Sequence, residues 1–148
     1  MQPIWRRAGV GLAAAVLTLT AASTATAATA SGPVQARLTI TPSTTTVGTT
    51  VTVVGTATNT TSGTVSASLG INNYSGLRLT SVSGSAGCRP RNVTTLIYCG
   101  IQSLPPGATA RITITLAPAA GGTYSFRCYA RVTYTTDDTY AYGSLVVS

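Results

Sequence analysis

The chain has 148 residues and a formal charge of +7, from nine basic residues, two acidic ones and no histidine. Every basic residue is an arginine and both acids are aspartates, so lysine and glutamate are missing as well. This inventory excludes histidine-activated nucleophiles, lysine Schiff bases and zinc sites completed by imidazole, and it points to a protein that is not an enzyme and uses no cofactor.

Arg6 and Arg7 precede an apolar run from Ala8 to Leu19, and small residues follow, with Ala-x-Ala at Ala25–Ala27 and at Ala28–Ala30. Basic, then apolar, then small is the plan of a secretory signal peptide. The expected leader is a helical segment over residues 1–30, cleaved near Ala27 or Ala30. Its apolar run is well short of the ~20 residues that cross a membrane, so no transmembrane segment is expected in the mature protein. The arginine pair fits an ordinary n-region, with twin-arginine export as the alternative. Residues 31–148 then form one domain, which keeps seven arginines against two aspartates, or +5. A positive field favours anionic partners. For a secreted chain these are wall polymers or lipid head groups; no nucleic-acid motif is present, and no nucleic acid is expected.

After the leader the apolar pattern has period two throughout, the signature of strands. Leu38 and Ile40 alternate with threonines until Pro42. Val51 and Val53 share a face that Gly55 and Ala57 continue, and Asn59–Gly63 is turn chemistry. Val65, Ala67, Leu69 and Ile71 form the next row, ended by "NNYSG". Leu77, Leu79 and Val82 follow. Val93–Cys99 reads as a strand whose phase is blurred by the adjacent Leu96 and Ile97. Pro105, Pro106 and Gly107 preset a turn. Ala110, Ile112, Ile114 and Leu116 then make the cleanest row in the chain. Tyr124, Phe126, Cys128, Ala130, Val132 and Tyr134 share one face of a long strand, "TTDDT" reads as a hairpin turn, and Tyr140–Val147 closes the domain. Seven to eight strands rich in Thr and Val, with no helical period, predict an all-β, immunoglobulin-like antiparallel sandwich. A closed barrel is the alternative.

"TVGTTVTVVGTATNTTSG", "GLRLTSVSGSAGC", "VTTLIYCGIQSLPPGATARITITLAP" and "GTYSFRCYARVTY" occur in this order between Thr46 and Tyr134, within a resemblance that spans about residues 36–147. In them the chain resembles the bacterial surface repeat called domain of unknown function eleven, through Asn59, the Leu-Pro-Pro-Gly turn and the terminal strand pair. The resemblance implies an immunoglobulin-like sandwich in a secreted or envelope-associated protein, often in tandem. This chain departs in having one copy, and in placing Asn72 and Asn73 where the repeat ends a strand with Leu-Pro.

Export permits a disulfide. Cys88, Cys99 and Cys128 allow three single pairings, each leaving one thiol. Cys88 and Cys99 flank "RPRNVTTLIY", which reads as a connection and a returning strand, and the resemblance also implies a pair here, so this pairing is the first expectation. Closing such a loop stabilises by roughly 2–3 kcal/mol on the chain-entropy model. Cys128 is then a small core hydrophobe, or alternatively a link to another chain. Three thiols without histidine or C-x-x-C spacing make no metal site.

No residue is assigned a catalytic role. Asp137 and Asp138 adjoin in a turn, where Asp is favoured locally; calcium would need six to eight oxygens. Arg127, Tyr129 and Arg131 alternate on one strand face, with Tyr140 or Tyr142 on the partner strand, and such a row suits sugars or phosphates. Arg89 and Arg91 flank Pro90 in an expected loop, where two guanidiniums suit an anion. Asn59, Asn73 and Asn92 match a glycosylation pattern that abundant Thr and Ser produce by composition. "LPPGA" lies mid-domain with no apolar tail behind it, so it is no wall-sorting signal. The function expected is a secreted structural or binding module, at the cell envelope or outside the cell, with an anionic cell-wall polymer as partner. The alternative is a module that adds an exposed edge strand to another surface protein; a small secreted enzyme or effector ranks third.

Overall fold

A computed structural model describes residues 23–28, 32–72, 77–85, 87–93 and 95–148. Residues 1–22 and 29–30 of the expected leader and the expected turn at 73–76 lie outside them, and Ala25–Ala28, expected within a helical leader, form a strand instead. Among the described residues eleven strands make two facing sheets: β1 Ala25–Ala28, β2 Val34–Thr41, β3 Thr44–Thr45, β4 Val51–Asn59, β5 Val65–Asn72, β6 Leu77–Gly84, β7 Arg91–Val93, β8 Leu96–Leu104, β9 Thr109–Pro118, β10 Gly122–Val132 and β11 Asp138–Val147. One sheet has the order β1-β2-β4-β9-β6 and the other β3-β11-β10-β5-β8-β7. All pairings are antiparallel except β3 with β11. Eight strands have eight residues or more, in line with the seven or eight expected.

The alternation in the sequence is the alternation in space. Leu38, Ile40, Val51, Val53, Ile112, Ile114 and Leu116 from one sheet meet Leu69, Ile71, Ile97, Phe126, Ala141 and Leu145 from the other, all buried. Side chains two residues apart fall on one face of a strand, so the threonines between them point outward. At Gly55 the sheets approach so closely that a Cβ would lie 2.8 Å from Ile71 Cδ1 and 3.0 Å from Cys128 Sγ. Cys128 is buried and free, as the core reading expected.

Two further expectations need correction. The Val93–Cys99 run is not one strand: the chain reverses after Val93, so that β7 and β8 form a narrow hairpin with Arg91 opposite Tyr98. Adjacent Leu96 and Ile97 mark the start of a new strand, with Ile97 inward and Leu96 half-buried. Tyr134 does not continue the inward face of β10. That strand ends at Val132, and Tyr134 stands in the loop with φ 66° and 101% relative exposure.

Asn59 and the Pro-Pro-Gly turn, 45 residues apart, are joined. The Asn59 amide Nδ2 donates to Leu104 O (2.8 Å) and Gly63 O (2.7 Å), and its Oδ1 accepts from Thr61 N (2.9 Å) and Thr61 Oγ1 (2.8 Å). Its backbone completes the clasp through Asn59 N to Ala108 O and Gly107 N to Asn59 O. A fully buried amide with both hydrogens and both lone pairs engaged locks two turns at one end of the sandwich.

Candidate functional site

The outward face of the six-stranded sheet carries the sequence-predicted residues. Arg127, Tyr129 and Arg131 alternate with inward Phe126, Cys128 and Ala130 on β10. Strand register places Arg127 opposite Asn72 and Tyr142, Tyr129 opposite Gly70 and Tyr140, and Arg131 opposite Ser68 and Asp138. β8 and β7 extend the middle row, because Gly70 faces Tyr98 and Tyr98 faces Arg91. The row thus reads Arg91, Tyr98, Gly70, Tyr129, Tyr140 across five strands. The two arginine groups that the sequence left apart share one face, and Arg91 begins β7 rather than lying in a loop.

Gly70 is what lets this row lie flat. A Cβ there would collide with the Tyr129 ring, which lies over the glycine backbone. Burial raises the Tyr129 hydroxyl above its ordinary ionisation range, with Arg131 opposing. The Tyr140 and Tyr142 rings stack with centroids 6.3 Å apart. Arg127 places its guanidinium 5.5 Å from the Tyr140 ring and Arg131 lies 5.9 Å from the Tyr129 ring, both within cation–π range. Asn72, with its amide turned to satisfy both groups, accepts from Arg127 Nη2 (2.7 Å) and donates to Arg127 O (3.0 Å).

Asp138 serves this face structurally. Its Oδ2 accepts from Tyr140 Oη at 2.7 Å, which raises the Tyr140 pKa. Its Oδ1 lies 3.3 Å from Arg131 Nε. That distance makes an ion pair, but the alignment is poor, and the buried Oδ1 accepts no hydrogen bond. Arg131 is 45% exposed, so the pair contributes little stability but neutralises one positive charge. Arg127 and Arg91 keep theirs, with no carboxylate opposite them in the cross-strand rows.

Beside this row the sheet is hollowed into an open concavity of about 880 Å³. Arg89, Arg91, Tyr98, Gln102, Thr133 and Tyr134 line it, Gly100 leaves its floor open, and no carboxylate is among its lining residues. The Cys88–Cys99 disulfide ties the Arg89 segment to β8 and so fixes one rim. Sequence reasoning missed Tyr98, Gln102 and Tyr134. Tyr98 and Gln102 were within reach, since an inward Ile97 dictates an outward Tyr98, Gly100 and Gln102; Tyr134 was not, because its loop conformation depends on where β10 stops. Among the described residues no group of three His, Cys, Asp or Glu side chains comes together as a metal site. No described helix is long and apolar enough to cross a membrane.

No protein-family model and no curated protein matches the chain. Solved structures do. The crystal structure of BslA, described as a bacterial hydrophobin, superposes with a TM-score of 0.51 at 19% identity, covering 79% of this chain and 95% of that one. A FixG-related protein from Vibrio parahaemolyticus gives 0.46 at 9% identity, covering 80% and 99%. A PapD-like domain of human CEP192 gives 0.41 at 12% identity, covering 75% and 83%. The likeness to BslA is one of fold, a two-sheet β-sandwich.

Proposed function

We propose that the protein is an exported, non-catalytic, immunoglobulin-like binding module that holds an anionic, hydroxyl-bearing envelope polymer on the outward face of its six-stranded sheet. The observation that carries this reading is the cross-strand row of arginines and tyrosines, continuous with an acid-free concavity. Guanidiniums bind phosphate and carboxylate through paired donors, and tyrosine rings stack on sugar faces while their hydroxyls hydrogen-bond. Export is supported by the leader pattern and by a disulfide, which persists in oxidising compartments. On this reading the chain is a single-copy relative of the bacterial surface repeat it resembles. A non-catalytic role is supported by the engagement of Asp138 with Arg131 and Tyr140. The hydrophobin likeness does not favour a surface film. The exposed large apolar side chains among the described residues are Val47, Tyr134, Tyr142 and Val146, two of them tyrosines, and film formation calls for a larger contiguous patch.

The test is binding to immobilised polyphosphate and to a neutral β-glucan. The expected result is salt-sensitive retention on polyphosphate, weakened about tenfold by Arg89→Ser with Arg91→Ser, as for the loss of charge-assisted hydrogen bonds. Arg37→Ser with Arg111→Ser, on the outward face of the other sheet, should leave binding unchanged. Equal losses from both pairs would refute a site on this face.

A further inference from the structure

Three of the sheet edges carry protection of their own. β3 has two residues and β7 three. β6 is bulged between Leu79 and Ser81, and its end at Gly84 lies under the Cys88 carbonyl and the Pro90 ring. Short, bulged or covered edges resist pairing with another chain.

β2 differs. It is eight residues long and alternates regularly between buried and outward positions. Two separate devices complete its outer edge. Over its first half Thr139, from the other sheet, stands in for a strand: Ala36 N–H donates to Thr139 Oγ1 (3.0 Å), and that hydroxyl donates to Val34 O (2.7 Å). Over its second half the cover is β1, with Ala25 opposite Ile40 through to Ala28 opposite Arg37. Ser43 N–H donates to Ser23 O (2.7 Å) and extends that cover. The half held by Thr139 is permanent. The half held by β1 consists of the same Ala-Thr-Ala-Ala residues that carry the small-residue processing pattern. A cut after Ala27 splits β1, and a cut after Ala30 removes it.

We infer that leader removal opens the Arg37–Thr41 edge of β2, and that a second copy of this chain fills it, β2 to β2, antiparallel about Thr39. The inference rests on the leader reading, and not on the anion-binding face. An antiparallel strand is already seated on this edge, so the edge accepts one. Keeping Leu38 and Ile40 on the core side restricts self-pairing to registers that match like faces. A register centred on Arg37 sets two arginines opposite each other. One centred on Leu38 needs the Ala36 edge that Thr139 already occupies. Centring on Thr39 pairs Leu38 with Ile40 and Arg37 with Thr41, sets threonine against threonine on the outer face, and opposes no like charges. The result is an isologous dimer with one continuous sheet.

The test compares purified residues 23–148 with residues 31–148. The buried apolar core spans Val34 to Val147, so both forms keep it. By light scattering the shorter form should weigh twice the chain and the longer form once. A peptide of residues 23–30 should return the shorter form to monomer. Thr39→Arg, at a partly exposed outward position, should abolish the dimer without unfolding the domain, and Thr39→Cys should crosslink under oxidation only in the shorter form. A monomeric 31–148 form, or a dimer untouched by Thr39→Arg, overturns the pairing. Mass spectrometry of the exported protein decides the processing step: an N-terminus beyond Ala27 supports it, and one at or before Ala25 overturns it.

Discussion

Asn59→Ala removes a fully buried amide whose four hydrogen-bonding sites are all used. The losses are unequal. Thr61 N–H lies in a turn that water reaches, and Gly63 O keeps Thr61 Oγ1 as a donor at 2.9 Å. Leu104 O lies on a buried residue and loses its side-chain donor outright. About 1 kcal/mol for a net buried hydrogen bond, with about a further 1–2 kcal/mol for the stranded carbonyl, gives a destabilisation of about 2–3 kcal/mol. Asn59→Asp should be worse at neutral pH, because a carboxylate oxygen would replace Nδ2 and face two carbonyl oxygens. That carboxyl would be held protonated to higher pH than in the unfolded chain, so the Asp variant should recover stability as pH falls, when its hydroxyl can again donate. Urea denaturation measures both effects as a shift in midpoint at constant slope. An Asn59→Ala change below about 1 kcal/mol, or an Asp variant as stable as wild type at neutral pH, would refute the clasp; both bounds follow from the net worth of a single hydrogen bond.

Two further outcomes follow from the cysteines. Cys88→Ser with Cys99→Ser opens a loop closed by a pair 11 residues apart and should cost roughly 3 kcal/mol on the chain-entropy model; polyphosphate binding should weaken as well, because the Arg89 rim is released. Cys128 is buried, and desolvation pushes its pKa from 9.0 up to about 12 against a smaller lowering by the Thr56 backbone. It should resist thiol reagents until the protein is unfolded. Because the folded state resists ionisation that the unfolded state undergoes, stability is intact below pH 9 and declines as pH rises through 9 toward 12. Cys128→Ala should abolish that component of the decline in an alkaline denaturation series.

The two-sheet core was legible because Ile112, Ile114 and Leu116, and Leu38 and Ile40, alternate with threonines, and period two leaves one choice of face. The β7–β8 reversal was not legible, since three residues carry no period. Tyr134 was misplaced because alternation persists in the sequence beyond the point where the β10 ladder ends. On the binding face, the shared side of Arg127, Tyr129 and Arg131 followed from spacing alone. Their alignment with Tyr98 and Arg91 did not, because register between distant strands is set by packing and turns. The Arg131–Asp138 pair belongs to the same class: two charges seven residues apart meet only if the hairpin loop has one particular length. Asn59 stood out in the sequence as a turn residue, while its partner Leu104 lies at the end of β8, beyond β5, β6 and β7.

On the function proposed above, an anionic polymer binds one face of the sandwich and not its positive charge at large. Amide chemical-shift mapping during titration with polyphosphate tests it most directly. Perturbations are expected along Arg91, Tyr98, Gly70 and Tyr129 and around Arg89 and Gln102, with the amides flanking Arg37 and Arg111 unmoved. Shifts spread evenly over both faces, or centred on the outward face of the β1-β2-β4-β9-β6 sheet, would overturn that binding site.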